Sequence, residues 1–389
     1  MELFQMVKYV ILLAELLCCT ARHCTTCHYN YIYVKGKLIM AGNSNLHMSR
    51  TEKTDEFYTQ LSLIENELKH YKAFFKDKVV FCNCDDPFES NFFKYFAMNF
   101  NSLGLKKLIA TCYATSPIVY TQLTLFGNEV PMSKEENKRK PYKIEISEVT
   151  DENADGRVDL ADVEYLLKNR KNTLTLLNGD GDFRSAECIE LLKQSDVVVT
   201  NPPFSLFREY MAQLIEYDKS FIIIGNQNAI TYREILPLIR DNRVWLGYNS
   251  GHFWFMVPDT YEEKKTDFKI DENGQKWRRM GNICWFTNVD IEKRHENMTL
   301  FRTYSPNSYP KYDNYDAIEV SRTADIPCDY YGVMGVPITF ADKYNPEQFE
   351  FLGIDKDFTS DGKRFRLTEN GKQRILYARM VIRRKINEN

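Results

Sequence analysis

No excess of positive charge marks this chain: 51 lysines and arginines face 54 aspartates and glutamates, for a net charge of −3 and an isoelectric point near 6.2. A general basic surface for a polyanion is therefore excluded, and any such contact must come from local patches. The sequence also lacks internal repeats and low-complexity segments, which excludes solenoid and disordered architectures. Its ten cysteines, Cys18, Cys19, Cys24, Cys27, Cys82, Cys84, Cys112, Cys188, Cys284 and Cys328, follow no disulfide framework, and a chain of 389 residues does not need one. Cys82, Cys112 and Cys284 lie inside apolar runs and read as buried free thiols, which fits a reducing cytoplasm. What is present is core material: 43% hydrophobic residues, with 24 Tyr and 25 Phe. That is enough for one large domain or two ordinary ones.

The first 39 residues stand apart. Val7 to Cys19 is apolar and resembles a short signal peptide, but Glu15 interrupts it and no small-x-small cleavage site follows. It is too short to span a bilayer, so no membrane association is expected. Cys24-Thr-Thr-Cys27-His28 has the spacing of a covalent haem attachment, yet no haem domain follows it. Residues 1–39 are expected to be an extension outside the functional unit, with Met40 or Met48 as alternative starts.

From there the chain alternates. Lys78–Cys84, Lys107–Tyr113, Thr173–Leu177, Asp196–Thr200, Phe221–Gly225 and Val244–Tyr248 are short apolar runs and read as buried strands. Ser90–Phe100, Ser185–Lys193, Leu206–Tyr217 and Tyr232–Ile239 have helical spacing. The alternation predicts an α/β fold with a doubly wound, mostly parallel sheet, in which ligands bind beyond the carboxyl ends of the strands. An insertion is expected over residues 114–172. After residue 250 the pattern turns to paired strands, Phe253–Val257 and Asn282–Val289, and then to short strands and turns such as Val333–Phe340 and Ile375–Arg383.

The most informative stretch closes the fourth apolar run: Asn201-Pro202-Pro203-Phe204. An aryl amine is a poor nucleophile because its lone pair is delocalised into the ring. Two acceptors aimed at its hydrogens, the Asn201 side-chain oxygen and the Pro202 carbonyl, localise that lone pair. Pro202 and Pro203 fix φ and offer no competing N–H. Phe204 provides a ring face for a flipped base. Alone, Asn-Pro is also a common turn signal; its place between an apolar strand and a helix favours the chemical reading.

At this point the chain resembles the EcoRI-type family of adenine-specific DNA methyltransferases. The resemblance runs from Asp55 to the C-terminus. It is carried by Asp55-Glu-Phe-Tyr-Thr-Gln60, Cys82-Asn-Cys-Asp-Asp-Pro87, Ser90-Asn-Phe-Phe-Lys-Tyr95, Gly179-Asp-Gly-Asp-Phe-Arg184, Asn201-Pro-Pro-Phe204 and Gly225-Asn-Gln-Asn-Ala-Ile-Thr231. It implies a Rossmann-like fold of the S-adenosylmethionine-dependent methyltransferase type over residues 40–250, with a target-recognition region over 251–389. It also implies S-adenosylmethionine as donor, transfer to the N6 amine of a flipped adenine in double-stranded DNA, and a bacterial or phage modification role with a cognate restriction endonuclease as possible partner. Methyltransferases at large end the first strand in a Gly-rich loop; here Asp85-Asp86-Pro87 stands in its place, and the second strand ends in Thr111-Cys112-Tyr113 without an acidic residue. By loop position, Phe57, Tyr58 and Thr59 would cover the methionine end of the cofactor. Asp85 and Asp86, next to Pro87, would take its amino group or ribose hydroxyls. Asp182 would accept from its adenine amine, with Phe183 against the ring.

Inside the insertion, Asp151, Asn153, Asp155, Arg157, Asp159 and Asp162 occupy the ligand positions of a calcium loop, with Gly156 at the sixth place. A last ligand of Asp rather than Glu and a preceding strand-like Tyr142–Ile146 weaken the match; the alternative is a polar turn capping the helix Val163–Lys168. A structural Ca2+ is the most this loop would hold. The region after Gly251 carries Trp254, Trp277, Trp285 and the cations Arg278, Arg279, Lys372, Arg374, Arg379, Arg383, Arg384 and Lys385. Of these, Arg278, Arg279, Arg383, Arg384 and Lys385 are the expected DNA contacts. Two other functions compete: a methyltransferase for an RNA base or a protein glutamine, and a calcium- or haem-binding module. The size of the C-terminal region argues against a small substrate, and the alternating core argues against a binding module.

Overall fold

The computed structural model describes residues 58–84, 87, 90–112, 141–151, 158, 161, 162, 165, 174–257, 261–369 and 371–386, together with a short antiparallel pair, Tyr33–Val34 with Lys37–Leu38. That pair belongs to a separate unit, Met1–Thr51; all that follows concerns the unit Glu52–Asn389. Phe57, Asp85, Asp86, Asn153, Asp155, Arg157, Asp159, the haem-like motif and most of the expected helix at 163–168 lie outside the described residues.

In chain order the elements are β1 (Tyr58–Thr59), α1 (Leu61–Leu68), β2 (Val79–Cys82), α2 (Asn91–Met98), β3 (Lys107–Thr111), β4 (Tyr142–Ile146), β5 (Leu174–Leu176), α3 (Ala186–Gln194), β6 (Val197–Thr200), α4 (Phe207–Glu216), β7 (Ser220–Asn226), β8 (Trp245–Met256), β9 (Phe268–Ile270) and β10 (Lys276–Thr287). Their strands form one ten-stranded sheet in the order β1-β8-β10-β7-β6-β2-β3-β4-β5, with β9 added to β10. Ser90 and Ser185 cap α2 and α3, each hydroxyl accepting from a backbone N–H three residues on.

The centre of the sheet obeys the sequence pattern. β3, β2, β6 and β7 are mutually parallel. Their residues alternate between two cores: Val80, Val197, Val199, Ile222 and Ile224 face α1 and α2, while Phe81, Val198 and Ile223 face α4. Strands buried on both faces need continuous apolar runs, which is what these strands carry.

The sheet as a whole is mixed, and here the expectation of a mostly parallel, doubly wound sheet is corrected. β4 pairs antiparallel with β3, and β5 antiparallel with β4. On the other side β10 runs antiparallel to both β7 and β8. The reason is local: β4 alternates buried and half-buried residues, Tyr142, Ile144 and Ile146 inward against Lys143 and Glu145 outward, and such one-faced strands suit antiparallel edges. The expected sixth strand does form, but it extends through residue 250 to Met256, so residues 251–256 and β10 belong to the central sheet. The expected helix Tyr232–Ile239 is shorter, at Leu236–Arg240.

Beyond β10 a second sheet forms from β11 (Lys311–Tyr312), β12 (Tyr315–Glu319), β13 (Met334–Pro337) and β14 (Phe349–Ile354), with β17 (Arg379–Arg384) between β13 and β14; β15 (Arg366–Glu369) and β16 (Lys372–Ile375) make a separate hairpin. Ile318, Met334, Val336, Phe349 and Ile382 share a core with α4 and β7, so this sheet packs on the α4 side.

Candidate active site

The parallel registers Cys82↔Ala110, Phe81↔Val198 and Thr200↔Ile223 bring the carboxyl ends of β2, β3, β6 and β7 to one edge. The described parts of the Asn201–Phe204 loop and of the segment after β2 lie at this edge. Asn201 and Pro202 leave β6 buried, with Asn201 only 7% exposed, while Pro203 and Phe204 are half-buried. The Phe204 ring stands edge-on to Phe255 at 6.4 Å. Phe255 pairs with Thr59, and Met256 with Tyr58, so the N-terminal aromatic segment is stitched to the far end of β8. Asn91, at the start of α2, donates to the Thr59 carbonyl at 2.7 Å, which ties the segment to the helix that follows β2.

On the other face of the sheet, the buried Tyr210 of α4 donates its hydroxyl to the Asn83 side-chain oxygen just past β2. Burial pushes the Tyr210 phenol well up, so it stays a donor. Its ring meets Phe183 edge-on at 5.0 Å, and Gln213 donates to the Phe183 carbonyl at 3.1 Å. The Gly179–Arg184 loop can lie so close because Gly181 has φ +77° and a Cβ there would come within 2.2 Å of the Cys112 carbonyl; only glycine fits. Asp182 is engaged by Arg184: the Arg184 N–H and Nε reach Oδ1 at 2.8 Å each, and a terminal nitrogen reaches Oδ2 at 2.7 Å. Those hydrogen bonds hold the Asp182 carboxyl below the usual carboxylate range. Pro87 is buried nearby in sequence, beyond β2.

The sequence reading missed a buried anchor next to this edge. Glu67 of α1 is wholly buried and accepts from the backbone N–H groups of Tyr248 and Asn249, the Asn249 amide and the Tyr71 hydroxyl, all at 2.8–2.9 Å. Burial pushes its carboxyl up, and those four hydrogen bonds oppose the rise. Together they fix a bulge in β8, where the register slips between Leu246 and Ser250. Lys293 clasps the same bulge from outside, donating to the Gly247 and Tyr248 carbonyls and to Asp342. A Cβ at Gly247 would sit 2.1 Å from the Glu67 carboxylate. The available signal was a lone Glu at i, i+4 to Tyr71 in an apolar helix face.

The expected DNA contacts are scattered. Arg278 donates to the Thr266 and Asp267 carbonyls, and Arg279 stands 3.7 Å from Asp267. Arg383 pairs with Glu350 across strands at 3.0 Å; Arg384 donates to the Cys328 carbonyl and lies over Tyr331; Lys385 is exposed. Of the calcium-like ligand positions Asp151 and the buried Asp162 are described, and no group of three metal-ligating side chains occurs among the described residues. No helix among them is long and apolar enough to cross a membrane.

Comparison with known proteins identifies the family. Residues 45–387 match the family described as adenine-specific methyltransferase EcoRI. The chain is 50% identical over 332 residues to the type II methyltransferase M.EcoRI of Escherichia coli, covering 83% of this chain and 94% of that protein. It is 36% identical to the type II methyltransferases M.MgeORF184P of Mycoplasma genitalium, over 79% of this chain and 85% of the relative, and M.MpnI of Mycoplasma pneumoniae, over 78% and 83%. No solved structure matches it. With a family match across nearly all of the chain and an Asn-Pro-Pro-Phe loop at the carboxyl edge of a parallel sheet core, this chain belongs to the EcoRI family of adenine-specific methyltransferases.

Proposed function

We propose that the chain transfers the methyl group of S-adenosylmethionine to the N6 amine of an adenine in duplex DNA, with that base rotated out of the helix and into the crevice beside Asn201. The observation that carries this reading is the buried Asn201-Pro202 turn at the end of β6, with Phe204 beside it and the ends of β2 and β8 around it. Asn201 and the Pro202 carbonyl accept the two amine hydrogens and localise the nitrogen lone pair toward the incoming carbon. The prolines keep the turn stiff. Phe204, backed by the wholly buried Phe255, offers its ring to the extruded base. Catalysis is then mainly positioning of two reactants in one desolvated crevice.

The residues fit the donor. S-adenosylmethionine, when bound, supplies a methyl group already activated on a sulfonium, which needs no metal. The Thr59 hydroxyl is buried and has no hydrogen-bonding partner among the described residues, an orphan that a polar group of the methionine end would satisfy. Arg184 uses three of the four lone-pair sites of Asp182, leaving one on Oδ2 for an adenine amine; Phe183, assigned to the adenine ring from the sequence, is buried with the Arg184 guanidinium 5.1 Å from its ring. Tyr58 and Pro87 complete the wall, with Phe57, Asp85 and Asp86 assigned from the sequence. The C-terminal sheet would read the target site, and a cognate endonuclease would be blocked wherever the chain has acted.

The test is direct. Purified chain is incubated with methyl-labelled S-adenosylmethionine and unmodified duplex DNA, and the DNA is digested to nucleosides. Label in N6-methyl-2′-deoxyadenosine is the expected result. Label in a cytosine, in RNA or in protein, or no transfer at all, would overturn the reading.

A further inference from the structure

The β8–β10 hairpin does not stop where the parallel strands stop. β7 last pairs with β10 at Asn226↔Ile283, yet β10 continues out to Trp277 and Lys276, paired with β8 as far as Met256. Six residues of strand reach roughly 20 Å past the carboxyl edge. β1 joins one side of this overhang and β9 the other, so it is a four-stranded ribbon above the crevice.

Its two faces differ. Directly paired residues share a face. The inner face carries Phe253 and Phe255, both buried, with Phe255 against Phe204. The outer face carries Trp254 paired with Arg279, and Trp277 paired with both Met256 and Lys269. Trp254, Trp277 and Arg279 are half-exposed and Lys269 is exposed. The Lys269 ammonium lies 4.8 Å from the Trp254 ring and 5.7 Å from the Trp277 ring, and the Trp277 indole N–H is fixed by Asp271 at 2.8 Å. Strands β8, β9 and β10 hold no carboxylate of their own; Lys269 and Arg279 are their cations on the outer face, with Asp267 3.7 Å from Arg279 and Asp271 engaged by Trp277, while Arg278, paired with Phe255, lies on the inner face.

We propose that the outer face of this ribbon, through Lys269 set over Trp254 and Trp277 and Arg279 paired across the strands with Trp254, grips the sugar-phosphate backbone of the duplex next to the adenine presented to Asn201. The proposal rests on the DNA reading above and adds the surface that holds the substrate. Cations on phosphates position a duplex without reading its sequence, and the indoles hold the cations in place with apolar surface toward the sugars. Because the same ribbon's inner face backs Phe204, the duplex and the base platform are held by one rigid element.

The experiment measures affinity for a duplex carrying the methylation site at several salt concentrations, in the full chain and in a Lys269→Gln/Arg279→Gln double variant. Each lost phosphate contact lowers the salt slope by about one, so a fall of about two is expected, with a raised KM for DNA and unchanged S-adenosylmethionine binding in the absence of DNA. If the double variant does not fold, as judged by its melting transition, Lys269→Gln alone should lower the slope by about one. An unchanged slope would overturn the proposal. So would a shift in sedimentation with the slope unchanged, which would make this face a contact between copies of the chain. A parent chain that neither binds nor methylates DNA would instead overturn the function on which the proposal stands.

Discussion

The parallel centre of the main sheet and the antiparallel regions flanking it bury polar groups of different kinds. Around the centre the buried polar side chains are neutral: Asn83, Thr111, Thr200, Asn201, Gln213 and Gln227. In the flank and the C-terminal sheet they include carboxylates: Glu67, Glu319 and Asp355. The centre is filled by apolar side chains on both faces, and its register needs no ions. Polar atoms are then concentrated at the strand ends, where a ligand can use them. The flank has bulges and short strands that apolar packing alone does not pin. There Glu67 holds the β8 bulge, and Glu319 takes Arg379 through both oxygens, at 2.7 and 2.9 Å, as well as the Tyr312 hydroxyl. On the proposed reading, Asn201 among the neutral buried groups of the centre serves chemistry, while the charged buried groups of the flank serve shape.

The sharpest way to break that division is Asn201→Ala. If the neutral group at the centre is there for chemistry, single-turnover methylation should fall by about a hundredfold or more, the scale for one aimed polar group in a desolvated site. The urea midpoint and the affinity for S-adenosylmethionine should hold. Near-normal single-turnover methylation would remove Asn201 from the mechanism.

Glu67→Gln should do the reverse. The new amide would turn its NH2 either toward the Tyr248 N–H and Tyr71 hydroxyl or toward the Asn249 N–H and side-chain amide, leaving buried donors unmet. We expect a loss on the order of 3 kcal/mol of stability in urea titration, with a far smaller effect on the methylation rate of the folded fraction. A loss within experimental error would mean that the bulge does not depend on its anchor.

The smallest effect concerns Asp182, which lies at the site yet is charged, and so tests whether the division is strict. Arg184 lowers its carboxyl in the folded chain. The folded state therefore binds this proton less tightly than the unfolded chain. Its contribution is present above the ordinary Asp value and is lost as pH falls through the lowered one. The half-exposed pair adds little stability, so the melting temperature of Asp182→Asn should differ slightly from the parent at pH 6 and converge with it below about pH 4. A gap that widens on acidification would have the wrong sign.

The parallel core was legible because its signal is local. Val79–Cys82, Val197–Thr200 and Ser220–Asn226 each carry an unbroken run of at least three apolar residues, and each is followed by a capped or turn-forming segment. The Asn-Pro-Pro-Phe loop was legible for the same reason. The direction of β4 and β5 was not read: the alternation of Tyr142–Ile146 suits an antiparallel edge, but its partner strand β3 lies across the insertion and is chosen only by long-range pairing. Nor was the continuity of β8 through Gly251, where glycine and a bulge imitate a boundary. Asn83, Tyr210 and Phe255 went unread because each acts through a partner distant in sequence: Tyr210 reaches Asn83 across 127 residues.

By itself, then, the sequence determined the alternation of buried strands and helices, the loops that end the central strands and the residue types that suit amine methylation, all of which follow from runs of a few neighbouring side chains. The tertiary structure alone decided the mixed order of the sheet, the Glu67 clasp on the β8 bulge and the ribbon that overhangs Asn201. Each of these depends on pairing between segments far apart in the chain, where long-range packing rather than local pattern selects the partner.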